Sequence, residues 1–230
     1  MPINHVAEHV FEFVPNMQIR WPAIQQDWQV QDYANETMLF AADLEFARTH
    51  GGPMTCTALE HLESQLDIEA LETEGLRIVI DTRVHMLMAG MIPAIGGWHC
   101  DALKRDPTTV YGNQPNPLLH NPGVRHFTVT FSTSDTSRTA FALGPTTVRV
   151  APGTRTWTTL HNQIVQDDTF HTLARHGVIY EFDQGTAHKA TASVDNGWRF
   201  FFRLSLCELV PQNQIRRQVQ VYIPSESHGW

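Results

Sequence analysis

The chain has 230 residues, of which 42% are hydrophobic and 17% are charged. This length and composition predict a globular protein with a substantial core and exclude a disordered chain. The formal net charge of −8 argues against a nucleic-acid partner, because a duplex-binding surface needs an excess of Lys and Arg.

The cysteines and the apolar runs bear on location. Cys56, Cys100 and Cys207 are an odd count at no metal-cluster spacing, which argues against a disulfide framework and predicts a reducing compartment. Residues 1–13 have neither a basic leader nor a continuous apolar stretch, so we expect no signal peptide. The longest apolar run, residues 86–98, is too short for a bilayer. Together these features predict a cytoplasmic protein with no membrane segment.

The N-terminal third has helical periodicity. Apolar residues recur at three- and four-residue steps over residues 36–50, and a Gly-Gly-Pro sequence ends the run. A second apolar stripe begins after Thr55 and ends near Gly75. We therefore expect residues 1–75 to form a helical layer that packs on a sheet.

The period changes to that of strands after residue 75. A loop rich in Pro, Asn and Gly is expected over residues 111–124, and a helix or excursion over residues 160–176. The predicted strands cover residues 76–80, 84–88, 127–131, 139–143, 147–150, 178–182 and 198–206. Many short strands behind a helical layer predict one domain over residues 1–230. That domain should be mostly β with flanking helices, an antiparallel sandwich or jelly roll, with residues 208–230 as a C-terminal extension.

The first chemical candidate is the triplet His99-Cys100-Asp101. On an extended strand, residues two apart point to the same face, so His99 and Asp101 would project together while Cys100 faces the core. One imidazole and one carboxylate on one face suit a single metal ion. With thirteen histidines in the chain such a triplet arises by chance about once, so the interpretation depends on a second feature.

His188 and two arginines supply that second feature. Residues 194–197, Val-Asp-Asn-Gly, are a hairpin turn signal between two predicted strands. With the turn centred on its Asp-Asn pair, Arg203 lies directly opposite His188, and Arg199 shares the same face. A guanidinium beside a histidine ligand suits an anionic, metal-chelating cosubstrate whose far carboxylate needs a bidentate donor.

Three motifs occur in a fixed order: His99-Cys100-Asp101, then His188, then Arg203-Leu204-Ser205. This order resembles the iron(II)/2-oxoglutarate-dependent dioxygenases, which have an HxD…H metal triad and an arginine, often as RxS, that holds the C5 carboxylate of the cosubstrate. The resemblance covers roughly residues 76–207 and implies that this segment is a double-stranded β-helix (jelly roll, cupin-like) core. It implies His99, Asp101 and His188 as the iron(II) ligands.

The resemblance leaves two candidates for the cosubstrate arginine. In many family members this arginine follows the second histidine by about ten or eleven residues, which would nominate Arg199. The turn placement and the adjacent Ser205 favour Arg203. Arg203, Ser205 and Arg199 are therefore all candidate cofactor-binding residues, and the arginine that does not hold 2-oxoglutarate is a candidate contact for an anionic substrate.

The implied activity is hydroxylation of a C–H bond of a small substrate, with conversion of 2-oxoglutarate and O2 to succinate and CO2. A carboxylate-bearing, amino-acid or peptide-like substrate would suit a second arginine. Because Asp101 occupies a metal position that a halide would need, hydroxylation, demethylation or desaturation is favoured over halogenation. No catalytic residue beyond the metal ligands is predicted.

Two other interpretations remain open. One is a cupin-like metalloenzyme that uses the same triad without 2-oxoglutarate, in which Arg203 is structural. The other is a metal-free jelly-roll binding module, in which the three triad residues are buried polar groups.

The remaining histidines receive non-catalytic interpretations. His120 and His126 bracket the predicted loop and are expected on the surface, because loop histidines are more often exposed than functional. His161, His171 and His176 have no carboxylate at strand spacing.

Overall fold

The computed structural model describes residues 9–19, 21–73, 75–94, 96–105, 114–150 and 155–223. The strands are β1 (His9–Phe13), β2 (Met17–Ile19), β3 (Met38–Phe40), β4 (Arg77–Leu87), β5 (Arg125–Ser132), β6 (Thr139–Ala142), β7 (Thr146–Val150), β8 (His171–Leu173), β9 (Tyr180–Asp183), β10 (His188–Ala190), β11 (Gly197–Cys207) and β12 (Gln214–Arg216). The α-helices are α1 (Val30–Asn35), α2 (Leu44–His50), α3 (Pro53–Glu63) and α4 (Thr156–Gln166), and short 3-10 helices span Glu69–Leu71 and Pro117–Leu119. The prediction of a mostly β fold with flanking helices is confirmed.

The largest sheet has five antiparallel strands in the order β2-β9-β5-β11-β4. Strand β11 lies between β5 and β4 and is paired with β4 along its whole length, from Gly197 opposite Leu87 to Cys207 opposite Arg77. Four of the eleven residues of β11 are aromatic, and aromatic residues favour the pleated, half-buried surface of a sheet.

The two faces of β11 differ in chemistry because successive side chains of a strand point to opposite sides. Phe200, Phe202 and Leu204 are buried in a core cluster that also contains residues of the helices. Arg199 and Arg203 lie on the other face and line a cavity. This alternation makes one sheet both the wall of a core and the wall of a cavity.

Helices α1, α2 and α3 cover the apolar face of the five-stranded sheet, and Glu36 fixes the start of α3. Its carboxylate accepts hydrogen bonds from the backbone N–H groups of Gly52 at 3.0 Å, Met54 at 2.9 Å and Thr55 at 3.3 Å, and from Thr55 Oγ1 at 2.6 Å. The first N–H groups of a helix have no partner within the helix, so this carboxylate satisfies them.

A second group of strands lies apart from this helical layer. Strands β10, β6 and β8 form a three-stranded antiparallel sheet, and β1 pairs with β7. Helix α4 packs its apolar side, including Trp157 and Leu160, into a second core cluster with Phe11 and Val148. Trp98 and Cys100 belong to the same cluster, which places the triplet of the sequence analysis at its edge.

The predicted helix over residues 36–50 is only partly present. Residues Met38–Phe40 form β3, which pairs with β12, and α2 begins at Leu44. Helical spacing of apolar residues does not decide the structure here, because Leu39 N donates to Thr82 Oγ1 at 2.7 Å and so ties this backbone to β4. The second predicted helix is also shorter, since α3 ends at Glu63.

The predicted hairpin between residues 188–192 and 199–203 is wrong. Strand β10 pairs with β6, with His188 opposite Phe141, whereas β11 pairs with β4 and β5. The connecting segment bonds elsewhere: Thr191 N donates to Arg138 O at 2.9 Å, and Asp195 N donates to Asp135 O at 3.0 Å. It therefore crosses from one sheet to the other instead of returning on itself.

In two other segments the observed elements differ from the predicted ones in their extent. The predicted strands 76–80 and 84–88 are one strand, β4, because the polar residues between them find partners. The predicted excursion over residues 160–176 contains most of α4 and the short strand β8. Of the predicted loop over residues 111–124, residues 111–113 lie outside the described residues.

No helix in the described ranges combines the length and the apolarity that crossing a lipid bilayer requires.

Candidate metal centre

His99 and His188 are held side by side by the backbone. They form an antiparallel bridge in which His99 N donates to His188 O at 3.1 Å and His188 N donates to His99 O at 2.9 Å. The centroids of the two imidazole rings are 4.7 Å apart. Two residues separated by 89 positions in the chain are thus placed on one face by reciprocal hydrogen bonds.

Each imidazole is oriented by a carbonyl two residues before it. His99 Nδ1 lies 3.0 Å from Gly97 O, and His188 Nδ1 lies 3.0 Å from Thr186 O. Because a carbonyl oxygen can only accept, Nδ1 donates in both rings, and Nε2 is the atom left to face Asp101 or to bind a metal. Burial, followed by the neighbouring His188, lowers the pKa of His99 to about 4, so this ring is neutral at neutral pH.

Asp101 completes the cluster. Its Oδ2 lies 3.2 Å from His188 Nε2, and its Oδ1 lies 3.9 Å from His99 Nε2. One ligand atom from each of the three residues lies within 4.8 Å of the other two, so the cluster could hold a metal ion. Cys100 is buried on the opposite side, as the alternation predicts.

Arg203 contacts the triad through Asp101. Its Nη1 donates to Asp101 Oδ2, and its Nη2 donates to Asp81 Oδ2 at 3.0 Å. Asp81 is fixed in turn, because its Oδ1 accepts from Ala41 N at 3.2 Å. Burial alone would raise the pKa of Asp101, but the Arg203 guanidinium and then His188 hold that pKa well below its ordinary value. Asp101 is therefore a carboxylate at neutral pH.

Arg199 differs from Arg203 in its partners. It is 3% exposed, its Nε donates to Ser137 O at 2.9 Å, and its guanidinium carbon lies 5.3 Å from the centroid of the Phe201 ring. Among the described residues no carboxylate lies within ion-pair distance of it. Burial lowers the pKa of Arg199 to about 10, so the group stays cationic at neutral pH.

Ser205 lies beside a buried histidine. Its Oγ is 2.9 Å from His126 Nδ1, and both residues are buried. The expectation that His126 lies on the surface is wrong, because β5 begins one residue before it and pairs it with Ser205 and Phe182. Burial lowers the pKa of His126 to about 3. His120 is exposed, as expected.

The other three candidate histidines lie outside the triad. His161 Nδ1 accepts from Trp98 N at 3.2 Å, and the ring of His171 meets that of Trp98 edge-on at 5.7 Å. His176 Nδ1 lies 3.1 Å from Thr130 Oγ1. These side chains support the second core and the sheet.

The triad opens onto a cavity of about 670 Å³. Residues that the sequence analysis did not nominate contribute to its lining: Asp81, Arg83 and His85 of β4, Phe182, Lys189 and Arg216. The sequence does contain a signal for the first three, since alternate polar residues inside an otherwise buried strand indicate a polar cavity face. Arg216 has no such signal, because only the fold brings the C-terminal segment to the cavity.

No family model matches this sequence, and no curated protein matches it. Among solved structures, weak similarity extends to a crystal structure of EvdMO1, with 10% identity and a TM-score of 0.31 over 56% of this chain and 27% of that chain. This chain therefore matches only about a quarter of that protein's length. A second structure, of the non-heme monooxygenase ThoJ in complex with Ni, has 11% identity and a TM-score of 0.32 over 86% of this chain and 84% of that chain. Similarity at this level identifies neither the fold nor the chemistry of this protein.

Proposed function

We propose that this chain is an iron(II)- and 2-oxoglutarate-dependent dioxygenase that hydroxylates a C–H bond of a small substrate and converts 2-oxoglutarate and O2 to succinate and CO2. The observation that carries the proposal is the convergence of His99, Asp101 and His188, with ligand atoms within 4.8 Å of one another, at the wall of an open cavity. Two histidines and one carboxylate with open positions are the ligand set of non-haem iron(II) oxygenases. The cavity volume lies in the range of small-molecule sites.

The donor set fits iron(II). In both rings Nδ1 bonds to a backbone carbonyl, so Nε2 is the atom directed at the cluster, and Asp101 is ionised beside Arg203. When bound, the iron supplies activation of O2 coupled to oxidative decarboxylation of the keto acid. His99, Asp101 and His188 would hold that group through one ligand atom each, at the wall of the cavity.

We propose Arg199 as the residue that binds the C5 carboxylate of 2-oxoglutarate. The preference for Arg203 depended on the hairpin register, which the strand pairing contradicts, and on the adjacent Ser205, whose Oγ lies 2.9 Å from His126 Nδ1. Arg203 already donates to two carboxylates, whereas Arg199 lines the cavity with no carboxylate partner among the described residues. A buried guanidinium with free donors suits a bidentate bond to a carboxylate.

Arg203 then acts on the metal ligand and not on the cosubstrate. By bonding to Asp101 and Asp81 together, it fixes the orientation of the Asp101 carboxylate before a metal binds. In this proposal Ser205 does not contact the cosubstrate. Its hydroxyl bonds to His126 of β5, behind the cavity wall.

We also propose that residues 76–207 form a double-stranded β-helix, or jelly roll, inside a single domain of residues 1–230. Its support is that Phe182 of the five-stranded sheet and His188 of the three-stranded sheet line the same cavity. In this proposal residues 1–75 are the outer layer with helices α1, α2 and α3, although β1 and β2 pair with β7 and β9, and residues 208–230 are the C-terminal extension. A cytoplasmic location remains a prediction from the cysteine content.

The experiment is an anaerobic titration. Iron(II) followed by 2-oxoglutarate should produce a visible charge-transfer absorption, and succinate should form once O2 is admitted. His99→Ala, Asp101→Ala and His188→Ala should each abolish both the absorption and the later succinate formation. His120→Ala is the matched control, because it removes an exposed imidazole outside the cavity. Metal uptake with no absorption on adding the keto acid would indicate a cupin-like metalloenzyme. Absence of metal uptake would indicate a binding module, and either result would overturn the proposal.

The same titration tests the assignment of Arg199. Arg199→Gln should raise the dissociation constant of 2-oxoglutarate by about tenfold or more, because a charge-assisted bond to the carboxylate is lost, while the iron affinity stays unchanged. Arg149→Gln, an exposed arginine on β7, is the control. An unchanged dissociation constant in Arg199→Gln would contradict the assignment.

A further inference from the structure

The cavity carries an excess of positive charge that the triad and the cosubstrate do not account for. Its two carboxylates, Asp81 and Asp101, are both bonded to Arg203. The cationic side chains that line it are Arg83, Lys189, Arg199, Arg203 and Arg216. Five cations against two carboxylates leave three positive charges in excess, in a chain whose formal net charge is −8. Iron(II) and dianionic 2-oxoglutarate would cancel each other's charge and leave this excess unchanged.

Two of these cations meet at one aromatic ring. The guanidinium carbon of Arg216 lies 3.8 Å from the centroid of Phe40, and that of Arg83 lies 5.7 Å from the same centroid. Strand pairing produces the arrangement, because β3 and β12 are antiparallel with Phe40 opposite Gln214. Arg216 follows Gln214 by two residues and is therefore the diagonal neighbour of Phe40 on the same face. Arg83 reaches the ring from β4, on the cavity side of the large sheet.

Arg83 is rigidly held and Arg216 is not. Arg83 Nη1 donates to Leu39 O at 2.7 Å and to Thr82 O at 2.6 Å, and its Nη2 lies 3.5 Å from Asp81 Oδ1. Arg216 is exposed, and no carboxylate of the described residues lies within ion-pair distance of it. Two like charges beside one ring repel each other, so an anion between them would be stabilised.

We infer that Arg83 and Arg216, stacked on Phe40, form a binding site for an oxyanion group, and that this group belongs to the substrate. Planar guanidiniums bind carboxylate, sulfonate and phosphate oxygens in a bidentate manner, and stacking on an aromatic ring orients them. The assignment to the substrate depends on the proposed function, in which Arg199 holds the cosubstrate; the anion site itself requires neither iron nor 2-oxoglutarate. The substrate class is therefore a small molecule that carries an oxyanion group as well as the C–H bond to be hydroxylated.

The test uses sulfate as the probe, with the metal-free full chain at constant ionic strength. Chemical shifts of the arginine Nε–H groups report which guanidinium binds. Sulfate should shift the signals of Arg83 and Arg216 saturably, and Arg216→Gln should weaken binding by about tenfold, as expected for the loss of one charge-assisted contact. Acetate and methyl phosphate, titrated in the same way, rank the oxyanion classes.

The chain offers a matched control one residue away. Arg217→Gln removes the same charge from an exposed position that does not line the cavity, and it should leave sulfate binding unchanged. Equal weakening in Arg216→Gln and Arg217→Gln would indicate general electrostatic attraction and overturn the site. Loss of binding in Arg199→Gln with no loss in Arg216→Gln would place the anion at Arg199 and also overturn it.

These outcomes are separate from the fate of the dioxygenase proposal. If iron(II) and 2-oxoglutarate fail to bind but sulfate binding depends on Arg216, the dioxygenase proposal fails and the anion site stands. If the charge-transfer absorption forms and sulfate binding is independent of Arg216, the dioxygenase proposal stands and the anion site fails.

Discussion

The two faces of β11 follow opposite rules within one run of eleven residues. On the helical side, Phe200, Phe202 and Leu204 are at most 1% exposed and touch apolar neighbours. On the cavity side, Arg199 is a buried charged group and Arg203 a half-buried one, and each has defined polar partners. One strand therefore supports the core with one set of side chains and the candidate site with the other.

The contrast between the two faces shows that the residues which stabilise the fold can be different from those which form the candidate site. On the helical side the gain is apolar surface removed from water, about 1.5–3 kcal/mol for each large side chain. On the cavity side, burial of a charged side chain is unfavourable, and its fixed polar partners offset that cost. These partners therefore add little net stability, and their main effect is to fix the orientation of the charged side chain. Substitutions on the two faces should therefore affect different measurements.

The largest expected effect belongs to the helical side. Phe202→Ala should lower the free energy of unfolding by about 3–5 kcal/mol, because it leaves a closed cavity in the core. Phe201→Ala is the matched substitution on the cavity side, where the ring is half-buried and its loss enlarges an existing cavity, so about 1 kcal/mol is expected. Urea denaturation of both variants measures the difference. Equal losses would remove the distinction between the faces.

The second effect belongs to the cavity side and acts on metal binding. Asp81→Asn weakens the ion pair that holds Arg203, so Asp101 is less well oriented. We expect the affinity for iron(II), or for cobalt(II) as a stand-in, to fall by about 10–100-fold, as is typical when the support of a metal ligand is altered. Asp27→Asn, at an exposed position, should leave it unchanged. Metal affinity equal to wild type would reduce Asp81 to a purely structural residue.

The third effect is a change in the pH dependence of stability, which is smallest near neutral pH. Burial lowers the pKa of His126 from 6.5 to about 3, so the folded state keeps the ring neutral while the unfolded state protonates it. Above pH 6.5 the neutral His126 ring does not lower the free energy of unfolding. As the pH falls from 6.5 towards 3, the unfolded state binds one more proton than the folded state, and the free energy of unfolding falls by about 1.4 kcal/mol per pH unit. His126→Gln should make the decline shallower by about one proton, whereas His120→Gln should not. Denaturation midpoints across this pH range provide the measurement, and parallel curves for wild type and His126→Gln would contradict the assignment.

Part of the candidate site could be predicted from the alternation of side chains along an extended backbone, although residues 99–101 form only an isolated bridge at His99 and not a strand. The sequence places His99 and Asp101 on one face with Cys100 on the other, and places Arg199 and Arg203 together on a second strand. The structure agrees on each of these placements. It also brings His188 to His99 through a backbone bridge, although the predicted hairpin that suggested their relation to Arg203 does not form.

The errors have a common origin in tertiary hydrogen bonding. Met38–Phe40 has helical spacing, yet it is a strand because β12 and Thr82 bond to its backbone. The Val-Asp-Asn-Gly turn resembles a hairpin, yet its neighbours bond to Arg138 and Asp135. In both places a partner far along the chain competes successfully with the local preference.

The amino-acid sequence by itself determined the mostly β character and which side chains share a face, because the two-residue period of a strand is set by backbone sterics whatever the strand pairs with. Only the tertiary structure decided which strands are neighbours, and therefore which charges meet: Arg203 with Asp81 and Asp101, and Arg216 with Arg83 at Phe40. Pairing depends on backbone groups contributed by distant segments, and a one-dimensional pattern contains no record of them.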